Sequence, residues 1–99
     1  MPMTLKDEGP KVRVLFTGAV TFAENNEFRN LLKELRRREL SSCLFDLSEL
    51  EMIDSAGLGM FLIAKEQADA SGWKLSVEGA TGHVQDMLKL TKLLELINQ

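Results

Sequence analysis

Asp54-Ser55, followed by Ala56-Gly57-Leu58-Gly59, is where this sequence gathers groups able to do chemistry. The apolar run Cys43 to Leu47 ahead of it fits a buried strand. A polar loop follows, and the proline-free stretch Ala56 to Ala70 reads as a helix. A serine delivered to the first turn of a helix lies beside free backbone N–H groups and the positive end of the helix dipole. Such a position suits a phosphate. Ser55 is therefore a nucleophile, a cap or a modification site.

Each chemical alternative has a test within the sequence. A nucleophilic triad would need Ser55, His83 and Asp54 or Asp46. His83, the chain's one histidine, sits at the start of a later helix, where a surface or capping role is ordinary. The Gly-x-Ser-x-Gly elbow is absent, because Ile53-Asp54 precede Ser55. Gly57-Leu58-Gly59 lacks the third glycine of a dinucleotide site and the lysine of a phosphate loop. Asp46 and Asp54 make a poor metal site without a third ligand. The plainer reading is that Asp54 or Ser55 caps the helix. Cys43, at a strand start, reads as a small hydrophobe. No enzyme, metal or cofactor is expected.

The surrounding pattern must position this stretch. Thr4 to Asp7 and Val12 to Thr17 read as strands joined by the turn Glu8-Gly9-Pro10-Lys11, an antiparallel hairpin. Gly18 is read as the end of the second strand. Thr21 and Glu24 form a capping-box pair, and Phe28, Leu31, Leu32 and Leu35 then mark one buried helical stripe. Arg36-Arg37-Arg38 reads as a solvated helix end. The Cys43–Leu47 strand, the helix from Ala56 with Gly72 as its cap, and the strand Trp73 to Glu78 imply two crossovers, right-handed and parallel. Gly79 to Gly82 turns into a short helix carrying Val84, Met87 and Leu88 on one face. Leu93 to Ile97 extends that helix or adds an edge strand. The order ββαβαβα predicts a single α/β domain over 1–99: a small mixed sheet with helices mainly on one face.

On the helix from Ala56, a 100° wheel gathers Gly57, Met60, Phe61, Ala64 and Ala68 on one apolar arc, the core face. Leu58, Leu62, Lys65, Glu66 and Asp69 fall opposite. Two leucines on an outer face near Ser55 read as part of a partner surface, with Met52 and Ile53 as its extension. Twelve basic against fifteen acidic residues and a formal charge of −3 speak against nucleic-acid binding. No apolar run approaches the roughly 20 residues of a membrane span, and Met1 to Lys11 lacks a signal-peptide core. With one cysteine and so no internal disulfide, the expectation is cytoplasmic.

The motif Asp46-Leu47-Ser48, Leu50 and Ile53-Asp54-Ser55-Ala56-Gly57-Leu58-Gly59 resembles that of STAS domains, the family of bacterial anti-sigma factor antagonists. Leu15-Phe16-Thr17-Gly18, then Gly72, Leu75, Val77 and Gly79, and finally Val84 and Leu88 extend the resemblance over nearly the whole chain. The resemblance implies that Ser55 is the phosphoacceptor of a partner-switching cycle, surrounded by Asp46, Asp54, Ala56 and Gly57. Its kinase, with a histidine-kinase-like ATPase fold, would double as the anti-sigma factor, and a PP2C-type phosphatase would reverse the reaction. Thr21 stands where relatives commonly carry an acidic residue, and the chain ends at Gln99 without the further helix of many relatives. STAS-like domains also serve as constitutive subunits of lipid-transporting ABC systems, as stressosome scaffolds, as modules of anion transporters and as weak nucleotide binders.

Overall fold

A computed structural model describes residues 3–98. The hairpin pairs β1 (Met3–Glu8) antiparallel with β2 (Lys11–Val20). A one-turn 3-10 helix, Phe22–Glu24, leads into α1 (Asn25–Arg36). Strand β3 (Ser42–Ile53), helix α2 (Ser55–Ser71) and strand β4 (Lys74–Glu78) follow, and the chain closes with α3 (Gly82–Leu90) and α4 (Leu93–Ile97). The sheet order is β1-β2-β3-β4, with β2/β3 and β3/β4 parallel. This is the small mixed α/β sheet that the pattern predicts.

Period-two burial explains why the layers stack as they do. Val12, Val14 and Phe16 of β2 register with Cys43, Phe45 and their neighbours of β3, and these in turn with Leu75 and Val77 of β4. All are buried, so one sheet face is continuous core. Arg13, Leu15, Leu44, Asp46 and Ser76 alternate with them and stay half-exposed on a helix-free face. Phe16, Phe45, Phe28 and Phe61 contribute one ring each from β2, β3, α1 and α2, with centroids 4.9–6.4 Å apart. Each buried ring contributes about 1.5–3 kcal/mol, so this cluster pins both long helices to the two central strands.

The expected stripe of α1 (Phe28, Leu31, Leu32, Leu35) is buried throughout, as is the core arc of α2. Gly72 ends α2 with φ +81°, a left-handed conformation that glycine adopts without a Cβ penalty. The arginine triplet does more than meet solvent. Arg36 Nη2 donates to Gln67 Oε1 of α2 at 2.9 Å, and Arg38 pairs with Asp7 of β1 and Glu34.

Two boundaries differ from the sequence reading. Gly18 does not close β2, which runs on to Val20, and Ser48 to Ile53 is not a loop but the second half of β3. The reason lies in the register. Leu15 pairs Asp46 while Thr17 pairs Glu49, and Gly18 pairs Leu50 while Ala19 pairs Met52. Each shift inserts one extra residue into β3, a β-bulge. Burial then recurs every third residue, at Leu47, Leu50 and Ile53, with the residues between them exposed. Such a strand carries no period-two signature. The tail is also resolved: Leu93 to Ile97 is a separate short helix, set off by Lys92 at φ +60°, not a continuation of α3 or an edge strand.

Candidate functional site

The bulged half of β3 delivers Ile53 to the edge of the core and Asp54 to the helix start. Ile53 is opposite Val20, and the Asp54 N–H donates to the Val20 carbonyl at 3.4 Å. Asp54 is the N-cap of α2. Its Oδ1 accepts the Gly57 N–H at 2.8 Å, and its Oδ2 accepts the Phe22 N–H at 3.3 Å. One carboxylate therefore satisfies an orphan donor of α2 and ties that helix start to the turn leading into α1.

Ser55 is the first residue of α2 and is exposed. Among the described residues no group hydrogen-bonds its hydroxyl. The two candidates for the cap thus separate: Asp54 caps, and Ser55 is left without a structural task. Ala56 is half-buried beside it. Gly57 is there because α2 crosses the end of β2 at close range. A Cβ on Gly57 would lie 2.3 Å from the Val20 carbonyl oxygen and 2.7 Å from Ile53 Cγ1.

His83 of α3 approaches the same loop, its Nε2 3.2 Å from the Ile53 carbonyl oxygen. A carbonyl only accepts, so that nitrogen carries the proton. Among the described residues no hydrogen bond joins this imidazole to the Ser55 hydroxyl. The arrangement braces α3 against the Ser55 loop.

Asp46 does not belong to these surroundings. At roughly 3.3 Å per residue, the run from Asp46 to Ile53 spans roughly 20 Å. Asp46 lies on the helix-free face, where its Oδ1 accepts the Ser48 N–H at 3.0 Å and its Oδ2 accepts from Arg13 Nη1 at 3.2 Å. Hydrogen bonds from Ser48, and secondarily the Arg13 guanidinium, hold its carboxyl below the usual range. Its task is to clasp the first bulge. Gly79, at φ +85°, passes so close that a Cβ would sit 3.0 Å from Ser48 N and 3.3 Å from Asp46 Oδ1. Cys43 is equally remote from chemistry: burial pushes its thiol up to about 12, so it stays protonated and inert.

The expected partner surface divides. Met52 is 50 % and Leu62 39 % exposed. Ile53 and Leu58 are buried, so neither presents a free side chain. The bulge turns Ile53 inward. Leu58 is covered because α4 packs on α2, and Leu58, Gly59, Leu62, Thr91, Leu93 and Leu96 line one shallow groove of about 250 Å³. A helical wheel knows only the sheet side of a helix and places any second neighbour in solvent.

The sequence reading missed Phe22. It is 73 % exposed and lies in the 3-10 turn whose N–H is held by Asp54. A signal was present: Phe22 lies inside the capping box and off the Phe28–Leu35 stripe, so no core face claims it. The box itself is closed, with Thr21 N and Oγ1 both donating to Glu24 Oε1 at 2.7 and 2.9 Å. The acidic group next to the Thr21 position is thus Glu24, folded back onto it.

Among the described residues no cluster of three or more His, Cys, Asp or Glu side chains is arranged to hold a metal, and no helix is long and apolar enough to cross a membrane.

Several solved structures share this architecture. A Thermotoga maritima protein described as an anti-sigma factor antagonist superposes with TM-score 0.85 at 20 % identity, over 96 % of this chain and 82 % of its own. An anti-sigma factor antagonist from Mycobacterium paratuberculosis gives 0.78 at 16 % identity, over 96 % and 80 %. The Bacillus cell fate determinant SpoIIAA in its phosphorylated form gives 0.75 at 12 % identity, over 96 % and 86 %. At such identities the likeness is one of fold. No curated protein matches the sequence. The family model described as "Mlab, STAS domain" matches residues 3–98. With its four-stranded mixed sheet, its helices on one face and a serine at the first turn of α2, this chain belongs to the STAS domain family.

Proposed function

We propose that this chain is a partner-switching regulator of the anti-sigma factor antagonist type, without catalytic activity of its own, and that reversible phosphorylation of Ser55 controls which partner it holds. The observation that carries the reading is the division of labour at the helix start. Asp54 does the capping, while the adjacent Ser55 hydroxyl is exposed and unused by the fold. Phe22, whose N–H Asp54 holds, and Met52, two residues before Asp54, are exposed, as is Leu62 further along α2. On this reading they are the exposed apolar side chains that a partner would cover. The partners this implies are a serine kinase with a histidine-kinase-like ATPase fold, acting also as the anti-sigma factor, and a PP2C-type phosphatase.

The test is calorimetric titration of the cognate kinase with Ser55→Ala and Ser55→Asp. The alanine variant is expected to bind and resist phosphorylation, and the aspartate variant to lose binding. Equal affinities, or phosphorylation by that kinase at another residue, would remove Ser55 from the mechanism. That outcome would favour the second reading, a constitutive subunit gripped by the ATPase of a lipid-transporting ABC system. This second reading draws on the family model, which is the Mlab one and not one named for sigma-factor antagonists.

A further inference from the structure

The sheet has two edges, and the chain treats them differently. At β4, Asn98 lays its amide along the strand. Asn98 Oδ1 accepts the Val77 N–H at 2.9 Å, and Asn98 Nδ2 donates to the Val77 carbonyl at 3.0 Å. One side chain thereby occupies both main-chain groups through which another strand would join at that residue. β1 pairs with β2 alone, and among the described residues no main-chain hydrogen bond reaches its outer side. An open edge of this kind is a template for further pairing.

The open edge also backs onto a groove of about 230 Å³ between β1 and α1, lined by Met3, Leu5, Glu27, Asn30, Leu31 and Glu34. Met3 and Leu5 register with Phe16 and Val14, so they face the helix side. A strand added to β1 would send every second side chain to that same side. Glu27 is the anomaly in the wall. Its Oε2 is sealed from solvent and has no hydrogen-bond donor. Glu34 is already paired with Arg37 and Arg38, whereas no lysine or arginine of the described residues pairs with Glu27. The groove therefore combines an apolar floor, an open row of main-chain groups and a carboxylate lacking a cation.

We propose that the outer edge of β1 is a strand-addition site for an extended segment of a partner protein, one whose groove-facing side chains, every second residue, are apolar except for a lysine or arginine placed to meet Glu27. The main chain of β1 supplies the pairing, and the groove supplies the choice of side chains. A second copy of this chain fits less well. The one cation of β1, Lys6, registers with Arg13 on the helix-free face, so self-pairing brings no cation to the groove and merges two Glu27 carboxylates into it. The inference is independent of Ser55.

The experiment is an amide NMR titration of the full chain with a blocked octapeptide that carries threonine at every second position and, between them, three valines and one lysine, and with its counterpart bearing glutamate in place of the lysine as control. The lysine peptide should shift amides of 3–8 and 27–34 and slow exchange of the outward amides of β1. Glu27→Gln should weaken it by about fivefold through loss of the charge-assisted contact. Asn30→Arg, at an exposed helix position, should block it by supplying the cation internally, with the melting temperature unchanged. Shifts confined to another surface, equal binding of the glutamate peptide, or no shift at millimolar peptide would each overturn the proposal. So would concentration-dependent shifts of β1 in the peptide-free protein with a dimer mass in sedimentation, which would assign the edge to self-pairing.

Discussion

A phosphate on Ser55 would bring a charge of about −1.5 to −2 to the first turn of α2. There the free N–H groups and dipole favour it, while the Asp54 carboxylate next door repels it. These opposing effects leave the fold intact, so Ser55→Asp should melt close to wild type. A partner covering Ser55, as proposed, would tolerate it less, because burying such a charge without a matching cation costs several kcal/mol. A loss of about 3 kcal/mol already weakens binding more than 100-fold. Asp54 has the opposite profile. Asp54→Ala removes the acceptor of both Gly57 and Phe22 and should cost about 0.5–2 kcal/mol of stability, the usual range for a lost N-cap, as read by denaturant unfolding. Phe22→Ala should leave stability within about 0.5 kcal/mol. If Phe22 anchors the partner, the same change should cost more than about 1 kcal/mol of binding.

Helix α2 is where packing separates neighbours that look alike in sequence. Phe61 is fully buried in the four-ring cluster, Leu58 is 9 % exposed under α4, and Leu62 is 39 % exposed. Phe61→Ala should therefore destabilise by about 3–5 kcal/mol and Leu58→Ala by about 2–5 kcal/mol, whereas Leu62→Ala should change stability little. Thermal and urea unfolding of the three variants would check the order. A Leu58→Ala variant as stable as Leu62→Ala would mean that α4 does not cover α2. Gly57 makes the tightest demand, since the atom a Cβ would strike is the Val20 carbonyl oxygen, part of the backbone. Gly57→Ala should destabilise by about 1–3 kcal/mol, as overpacking does, despite the higher helix propensity of alanine.

For the molecule as a whole, the helix-free face is held by polar clasps and not by a second core. Asp46 joins β3 to β2 through Arg13 and steadies the first bulge through Ser48. Its folded carboxyl titrates below its unfolded value. The stability it contributes is thus present above the ordinary aspartate value of about 3.9 and is lost as pH falls through the lower folded value. Wild-type protein should accordingly lose more melting temperature than Asp46→Asn on acidification from about pH 5 to 3, and equal losses would assign the acid sensitivity elsewhere. Asn98 plays the corresponding part at the β4 edge.

The sequence by itself determined the elements whose signals are local. The α1 stripe, the closed Thr21–Glu24 box, the Gly72 cap and the core arc of α2 each depend on residues within a turn or two of one another, where sterics and periodicity leave little choice. The motif around Asp54-Ser55 was legible for the same reason, since a cap and its helix are neighbours in the chain. Tertiary structure decided what depends on partners remote in sequence. The bulges that carry β3 to Ile53 exist only in register against β2, so Ser48 to Ile53 reads as a loop until β2 is beside it. Leu58 looks like surface until the turn at Lys92 lays α4 over it. Asp46 and Asp54, close in the sequence, end far apart because an extended strand separates its residues by about 3.3 Å each. Whether Asp54 or Ser55 capped the helix was open in the sequence, because both residue types cap well. It was settled when the fold gave Asp54 two donors, one of them the Phe22 N–H in the turn that follows the neighbouring strand β2.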